Sequence, residues 1–75
     1  MADAGRAYTI LATDVDPDGS KLQLSKDALQ TFEIRVHRGG YWYLLWREVR
    51  VSEKRALKAL KREASLQHGY YEGKN

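Results

Sequence analysis

A chain of 75 residues with no cysteine and a net charge of +3 can form one small domain. The composition excludes a disulfide scaffold, a cysteine zinc site and a thiol nucleophile. The longest apolar run, Tyr41 to Trp46, is too short to span a membrane, and the N-terminal residues lack a signal-peptide pattern. We therefore expect a single cytoplasmic domain over 1–75, with flexible tails at 1–6 and 70–75 and no membrane contact.

The charge is divided unevenly along the chain. Residues 1–34 carry six acidic and three basic side chains, whereas residues 35–75 carry ten basic and four acidic ones. A small domain polarised in this way presents a positive face, which favours a polyanion or an acidic protein surface as its partner. Solubility alone would also account for such a charge.

The first half of the chain predicts two strands joined by a turn. Residues 7–13 are rich in β-formers, and residues 21–25 alternate between polar and apolar side chains. Pro17 and Gly19 favour a turn between them, because proline presets φ and glycine accepts a positive φ. Residues 25–30 fit either one turn of helix or a plain connection.

The same turn has aspartates at alternate positions, the spacing that begins an EF-hand calcium loop: Asp14, Asp16 and Asp18. The twelfth position of that loop requires a bidentate glutamate, and here it is Ser25. A cation, Lys21, stands at the eighth position. We therefore expect a turn that binds a cation weakly at most, and we predict neither a metal site nor a cofactor.

The strongest pattern is a hairpin within residues 31–51. Two β-rich runs flank Gly39 and Gly40, which suit a two-residue turn with positive φ. The register that this turn implies gives three pairs: Arg38 with Tyr41, Val36 with Tyr43, and Ile34 with Leu45.

This register divides the hairpin into two faces. The predicted core face comprises Phe32, Ile34, Val36, Tyr43, Leu45, Val49 and Val51. Arg47 falls on it as well, where a bulge or the sheet edge would accommodate it. The opposite face comprises Arg35, His37, Trp42, Leu44, Trp46, Glu48 and Arg50. Because that face mixes tryptophan with charge, either it binds a partner or the N-terminal strands cover it.

The last third of the chain predicts a helix that begins after Ser52, has Glu53 in its first turn and stops at Gly69. Its apolar stripe is Ala56, Leu57, Leu60 and Ala64. The rest of its surface is basic: Lys54, Arg55, Lys58, Lys61 and Arg62. The predicted fold class is therefore α+β, a small antiparallel sheet of three or four strands packed against one C-terminal helix, in the order β-β-β-β-α.

The sequence provides little for catalysis. Its two histidines, His37 and His68, belong to different elements, and no serine is placed to be oriented by a histidine and an acid. The paired glycines are explained by the hairpin turn and do not form a phosphate-binding loop. We therefore expect a binding protein and not an enzyme.

Two binding hypotheses remain open. Arginine interleaved with tryptophan can contact phosphates and stack on bases, which favours a nucleic acid, DNA more than RNA. The predicted contact residues are Arg35, His37, Arg38, Trp42, Trp46, Arg50, Lys54, Arg55, Lys58, Lys61 and Arg62. The same residue types are enriched in protein interfaces. The alternative is therefore an adaptor or inhibitor of phage or mobile-element type that docks on an acidic protein, or a homodimer formed through Trp42, Leu44 and Trp46.

Overall fold

The structure is a computed structural model that describes residues 8–66. It contains four strands and one helix: β1 (Tyr8–Val15), β2 (Lys21–Asp27), β3 (Thr31–Arg38), β4 (Tyr41–Val49) and α1 (Glu53–Ala64). The strands form one open antiparallel sheet in the order β1-β2-β3-β4, and α1 packs on one of its faces. The predicted α+β class and element order are confirmed. The predicted tails at 1–6 and 70–75, together with His68 and Gly69, lie outside the described residues.

The turn between β1 and β2 is built around one aspartate. The buried Asp16 carboxylate accepts hydrogen bonds through Oδ1 from the backbone N–H groups of Asp18 and Ser20, at 2.9 and 2.8 Å. Gly19 adopts a φ of 86°, which glycine alone reaches without steric cost. The predicted turn is confirmed, and its local bonds use backbone donors that would otherwise lack partners.

The turn between β2 and β3 repeats the same design. Asp27 Oδ1 accepts hydrogen bonds from the backbone N–H groups of Leu29 and Thr31, at 2.9 and 3.0 Å. The residue at the position of the glycine is Gln30, which has a φ of 63°. Residues 25–30, which fitted a helical turn or a connection, are therefore the end of β2 followed by a tight turn.

The turn between β3 and β4 has the predicted glycines. Gly39 and Gly40 have φ values of 61° and 86°, which give the twist that a two-residue hairpin turn requires. The two predicted pairs nearest the turn are confirmed: Arg38 with Tyr41 and Val36 with Tyr43.

The predicted pair of Ile34 with Leu45 is wrong, because a β-bulge interrupts β4. Arg35 pairs with Leu44, but the preceding residue, Ile34, pairs with Trp46. Leu45 is therefore an extra residue of β4 without a pairing partner in β3. Side chains alternate between the two faces with a period of two, so one inserted residue reverses every later assignment.

The bulge exchanges the predicted faces of the second half of β4. Trp46 and Glu48, expected opposite the core, lie on the side of α1 and pair with core residues of β3. Arg47 and Val49, expected on the core face, lie on the other side of the sheet. The misfit of Arg47 is thereby removed, since its guanidinium reaches the carboxylate of Glu33.

The core lies between the sheet and α1. The two central strands supply its large side chains, all completely buried: Leu22, Leu24, Phe32, Ile34 and Val36. Burial of each such side chain stabilises the fold by roughly 1.5–3 kcal/mol. The helix contributes mainly small residues, which allow it to lie close to the sheet: Ala56, Ala59, Leu60 and Ala64. Each border strand adds a bulged pair, Leu11 with Ala12 in β1 and Leu45 with Trp46 in β4.

The helix begins as predicted, because Ser52 Oγ accepts a hydrogen bond of 3.0 Å from the backbone N–H of Arg55. The helix ends at Ala64, with Ser65 as its C-cap, so the predicted stop at Gly69 is wrong. Its buried stripe is rotated from the predicted one. Leu57 is 42 % exposed, whereas Ala59 and Glu63 are buried beside the three residues that were predicted correctly, Ala56, Leu60 and Ala64. Among residues 8–66 the structure contains no helix with the length and hydropathy of a membrane span.

Candidate binding surfaces

The sheet face that points away from α1 is a four-by-four grid of side chains, which we call the open face. Strand pairing, with the turn that joins Asp27 to Thr31, gives four rows that each take one residue from β1, β2, β3 and β4 in that order. The first and second rows are Tyr8-Asp27-Thr31-Val49 and Ile10-Ser25-Glu33-Arg47. The third and fourth rows are Thr13-Gln23-Arg35-Leu44 and Val15-Lys21-His37-Trp42.

The open face has apolar borders and a polar centre. Of the ten large hydrophobic side chains exposed in residues 8–66, six lie on the two border strands of this face, each 41 to 57 % exposed: Tyr8, Ile10, Val15, Trp42, Leu44 and Val49. The two central strands contribute only polar side chains to it. Between the borders lies a shallow concavity of about 220 Å³, floored by Gln23, Ser25 and Glu33.

Charge on the open face is largely compensated. Glu33 is only 8 % exposed, and it receives Arg35 Nη2 at 2.6 Å and Arg47 Nε at 3.4 Å. The His37 ring lies 4.8 Å from the ring of Trp42, at an interplanar angle of 52°. The two arginines of this face are thus oriented by a carboxylate of the same chain, which reduces their attraction for an external phosphate.

The outer surface of α1 carries a second candidate surface, the lysine stripe of Lys54, Lys58 and Lys61. Their spacing of four and three residues places them on one side of the helix, and all three are exposed. At a rise of 1.5 Å per residue the stripe is about 10.5 Å long. Within the described part of the chain, no ion pair involves any of the three.

Beside the stripe, between the helix and β4, lies a cleft of about 760 Å³ that we call the α1–β4 groove. Half-buried Trp46 lies at its sheet side. On its helix side Arg55 donates two hydrogen bonds to Glu48, at 2.8 and 3.3 Å. The hydrogen bond from Arg55 holds the pKa of Glu48 below its ordinary value, and the same contact raises the pKa of Arg55. Arg62, in the last turn of the helix, contacts Glu63 at 3.2 Å.

The residues predicted to bind a partner do not form one surface. Three lie on the open face: Arg35, His37 and Trp42. Six lie on the side of the helix: Trp46, Lys54, Arg55, Lys58, Lys61 and Arg62. Arg38 contacts Asp18 across the sheet at 3.2 Å. Arg50 lies in the connection before α1 with a φ of 56°, and its N–H donates to the carbonyl of Gln30.

The expectation that Trp42 and Trp46 share one face is wrong, because the bulge at Leu45 separates them. The border residues Tyr8 and Ile10 of the open face were not predicted as contact residues. Their position on the same face as Trp42, at the opposite border of the sheet, depends on the strand order, which a strand pattern alone does not specify.

The three aspartates of the first turn have structural contacts. Asp14 Oδ1 accepts a hydrogen bond from the N–H of Val15, Asp16 holds the turn, and Asp18 contacts Arg38. Across residues 8–66, no group of three or more histidine, aspartate or glutamate side chains is placed to hold a metal ion.

The fold is thus an open four-stranded antiparallel sheet with a single helix on one face. Comparison with protein-family models, with curated proteins and with solved structures finds no match for this chain. What the protein binds is therefore inferred from its own surfaces.

Proposed function

We propose that the protein is a small, non-catalytic, cytoplasmic module that binds nucleic acid, DNA in preference to RNA, through the lysine stripe and the α1–β4 groove. The observation that supports this most directly is the lysine stripe. Lys54, Lys58 and Lys61 are exposed cations without an ion-pair partner in residues 8–66. Flexible ammonium groups of this kind serve as phosphate anchors, because they need no fixed approach geometry.

The dimensions of the stripe suit a phosphate backbone. Successive phosphates of one DNA strand advance by about 3.4 Å along the duplex axis. A stripe of about 10.5 Å therefore covers about three phosphate steps. A helix lying parallel to the duplex axis would place its three lysines within a run of about four phosphates of one strand.

The groove supports the same assignment. Arg55 and Arg62 extend the positive surface from the stripe towards Trp46, and the groove contains four cations against the carboxylate of Glu48. Arg55 and Arg62 each contact a glutamate of their own chain, but the groove also contains Lys58 and Lys61, which have no ion pair in residues 8–66. On the open face, by contrast, Glu33 compensates two arginines. The helix side is therefore the stronger candidate.

The test is a salt titration of binding to labelled duplex DNA, single-stranded DNA and duplex RNA. For duplex DNA, log K falls as log salt rises, and each phosphate contact adds about 0.9 to the magnitude of that slope. The triple substitution Lys54→Gln, Lys58→Gln, Lys61→Gln should therefore reduce the magnitude by about 2.7. Absence of salt-dependent binding by the native protein would overturn the proposal and leave an acidic protein surface as the alternative partner.

A matched pair of single variants locates the contact. Lys58→Gln removes the central lysine of the stripe, and Lys21→Gln makes the same chemical change at an exposed lysine of the open face. We expect the slope to fall by about one for Lys58→Gln and to stay unchanged for Lys21→Gln. Equal effects of the two substitutions would contradict the assignment to the helix side.

A further inference from the structure

We infer that the open face is the interface of a homodimer, in which the sheets of two copies pack face to face about a two-fold axis perpendicular to their strands. Among residues 8–66, no element packs on this face. Yet it holds most of the large apolar side chains that are exposed in that part of the chain. An exposed apolar surface of this kind on a small protein marks an interaction site.

The area of the open face is sufficient for a stable contact. Four strands spaced by about 4.8 Å and about 25 Å long give a face of roughly 500 Å². Two copies would together bury on the order of 1,000 Å², which is the lower limit for specific interfaces. The four strands and the helix account for most of the described residues. The open face of a second copy therefore has the same area as the face that it would cover.

The polar centre of the face indicates the orientation. Acidic side chains lie at one end of the central strands, Asp27 in the first row and Glu33 in the second. Basic side chains lie at the other end, Arg35 in the third row and Lys21 in the fourth. A face with this polarity attracts a copy of itself only when the two are placed with opposite ends together.

A two-fold axis perpendicular to the strands produces that placement, since it sets the first row against the fourth and the second against the third. Asp27 then faces Lys21 of the second copy, and Glu33 faces Arg35 of the second copy. The central pair lies next to the axis, where the angle of about 30° between packed sheets displaces residues least. Glu33 is already mostly buried in one copy, so association adds little to its desolvation cost.

The apolar border residues of the first and fourth rows match in the same arrangement, whereas in the inner rows Ile10 faces Thr13 and Leu44 faces Arg47 of the second copy. Tyr8 faces Val15 of the second copy on one border, and Val49 faces Trp42 of the second copy on the other. An axis parallel to the strands would instead set each row against itself. Lys21 would then lie opposite His37, and Glu33 opposite Ser25, without any pair of opposite charges. The charge pattern therefore selects the perpendicular axis.

The dimer leaves the helix side accessible. Packed layers are about 10 Å apart, so the two helices would lie on the outer sides of the pair, with their axes about 30 Å apart. Dimerisation and nucleic-acid binding use different surfaces, and each can fail without the other.

The first experiment is sedimentation equilibrium on the native protein and on two leucine variants. We expect twice the 8.6 kDa chain mass for the native protein at micromolar concentration. In this arrangement Leu44 faces Arg47 of the second copy, so Leu44→Lys places two cations together in the interface and should raise the dissociation constant by at least about tenfold. Leu57→Lys, the same change at an exposed leucine of the helix, should leave the dimer intact. A native monomer at high micromolar concentration, or equal effects of the two variants, would overturn the inference.

The second experiment tests the orientation and exploits the absence of native cysteine. Singly substituted Tyr8→Cys and Val15→Cys proteins are mixed and treated with a short bis-maleimide. A covalent heterodimer is expected only from the mixture, because each position faces the other one across the axis. Efficient crosslinking of Tyr8→Cys with Val49→Cys instead would establish the parallel axis and contradict the charge argument.

Discussion

Replacing Gln30 with glycine should stabilise the protein. Gln30, in the turn between β2 and β3, has a φ of 63°. The equivalent position of the turn between β1 and β2 is Gly19, which has a φ of 86°. The left-handed conformation costs a non-glycine residue about 1–2 kcal/mol. Relief of this strain is offset by about 0.4–1 kcal/mol, because glycine increases the conformational entropy of the unfolded chain. The exposed Gln30 side chain has no hydrogen bond in residues 8–66, so we expect a net gain of about 0.5–1 kcal/mol.

The measurement is the midpoint of thermal unfolding, which should rise by roughly 2–8 °C for a domain of this size. Gln30→Ala is the control, since it removes the same side chain without relieving the backbone, and it should give no gain. Gly19→Ala introduces a side chain at the equivalent position of the turn between β1 and β2, and it should lower the unfolding midpoint. A lower midpoint for Gln30→Gly, or an equal rise for Gln30→Ala, would refute the conclusion that the positive φ of Gln30 strains the turn between β2 and β3.

Three further predictions concern stability. Arg55 lowers the pKa of Glu48 through its hydrogen bond, so the stabilisation from this pair is complete above the ordinary pKa of about 4.3 and is lost as the pH falls through the lowered folded-state value. A double-mutant cycle of Glu48→Gln and Arg55→Gln, followed by urea unfolding, should show coupling at about pH 7 that declines as the pH falls through the lowered pKa of Glu48. Asp16→Ala removes the acceptor of two turn N–H groups and should lower the free energy of unfolding by about 1–3 kcal/mol, whereas a neutral result would mean that water replaces the carboxylate. Leu24→Ala should lower the free energy of unfolding of the monomer by about 2–5 kcal/mol, and Leu44→Ala should lower it by less than about 1 kcal/mol. Comparable losses for the two variants would contradict the assignment of Leu24 to the core face and of Leu44 to the open face.

The element order and the turns could be predicted because they depend on local chemistry. The paired glycines fix the register of the third hairpin as far as Leu44, since a two-residue turn leaves one way to pair the strands next to it. Ser52 begins the helix through a bond to a backbone group three residues away. Such short-range constraints are visible in a single sequence.

The bulges could not be placed from alternation alone, although the sequence carries a signal for both. Each lies within a run of consecutive apolar residues, Ile10 to Ala12 in β1 and Tyr41 to Trp46 in β4. Such a run cannot satisfy a half-buried strand unless one residue is inserted. The misplaced charge of Arg47 was a second signal of the same kind.

The candidate site was predicted in composition but not in arrangement. Helical spacing gives the lysine stripe directly, because it needs only the position of each residue along one helix. The grouping of Trp42 with Trp46 depended on a register that one inserted residue reverses. Sequence reasoning therefore named most of the cationic residues and joined two surfaces that lie on opposite sides of the sheet.

The two bulges lie in β1 and β4, the strands at the borders of the sheet. A regular border strand offers a continuous row of free N–H and C=O groups, to which a neighbouring molecule can add strand after strand. A bulge breaks that row and bends the strand. Lateral growth into fibrils is therefore disfavoured, whereas the proposed pairing of two sheet faces about a two-fold axis would end at two chains.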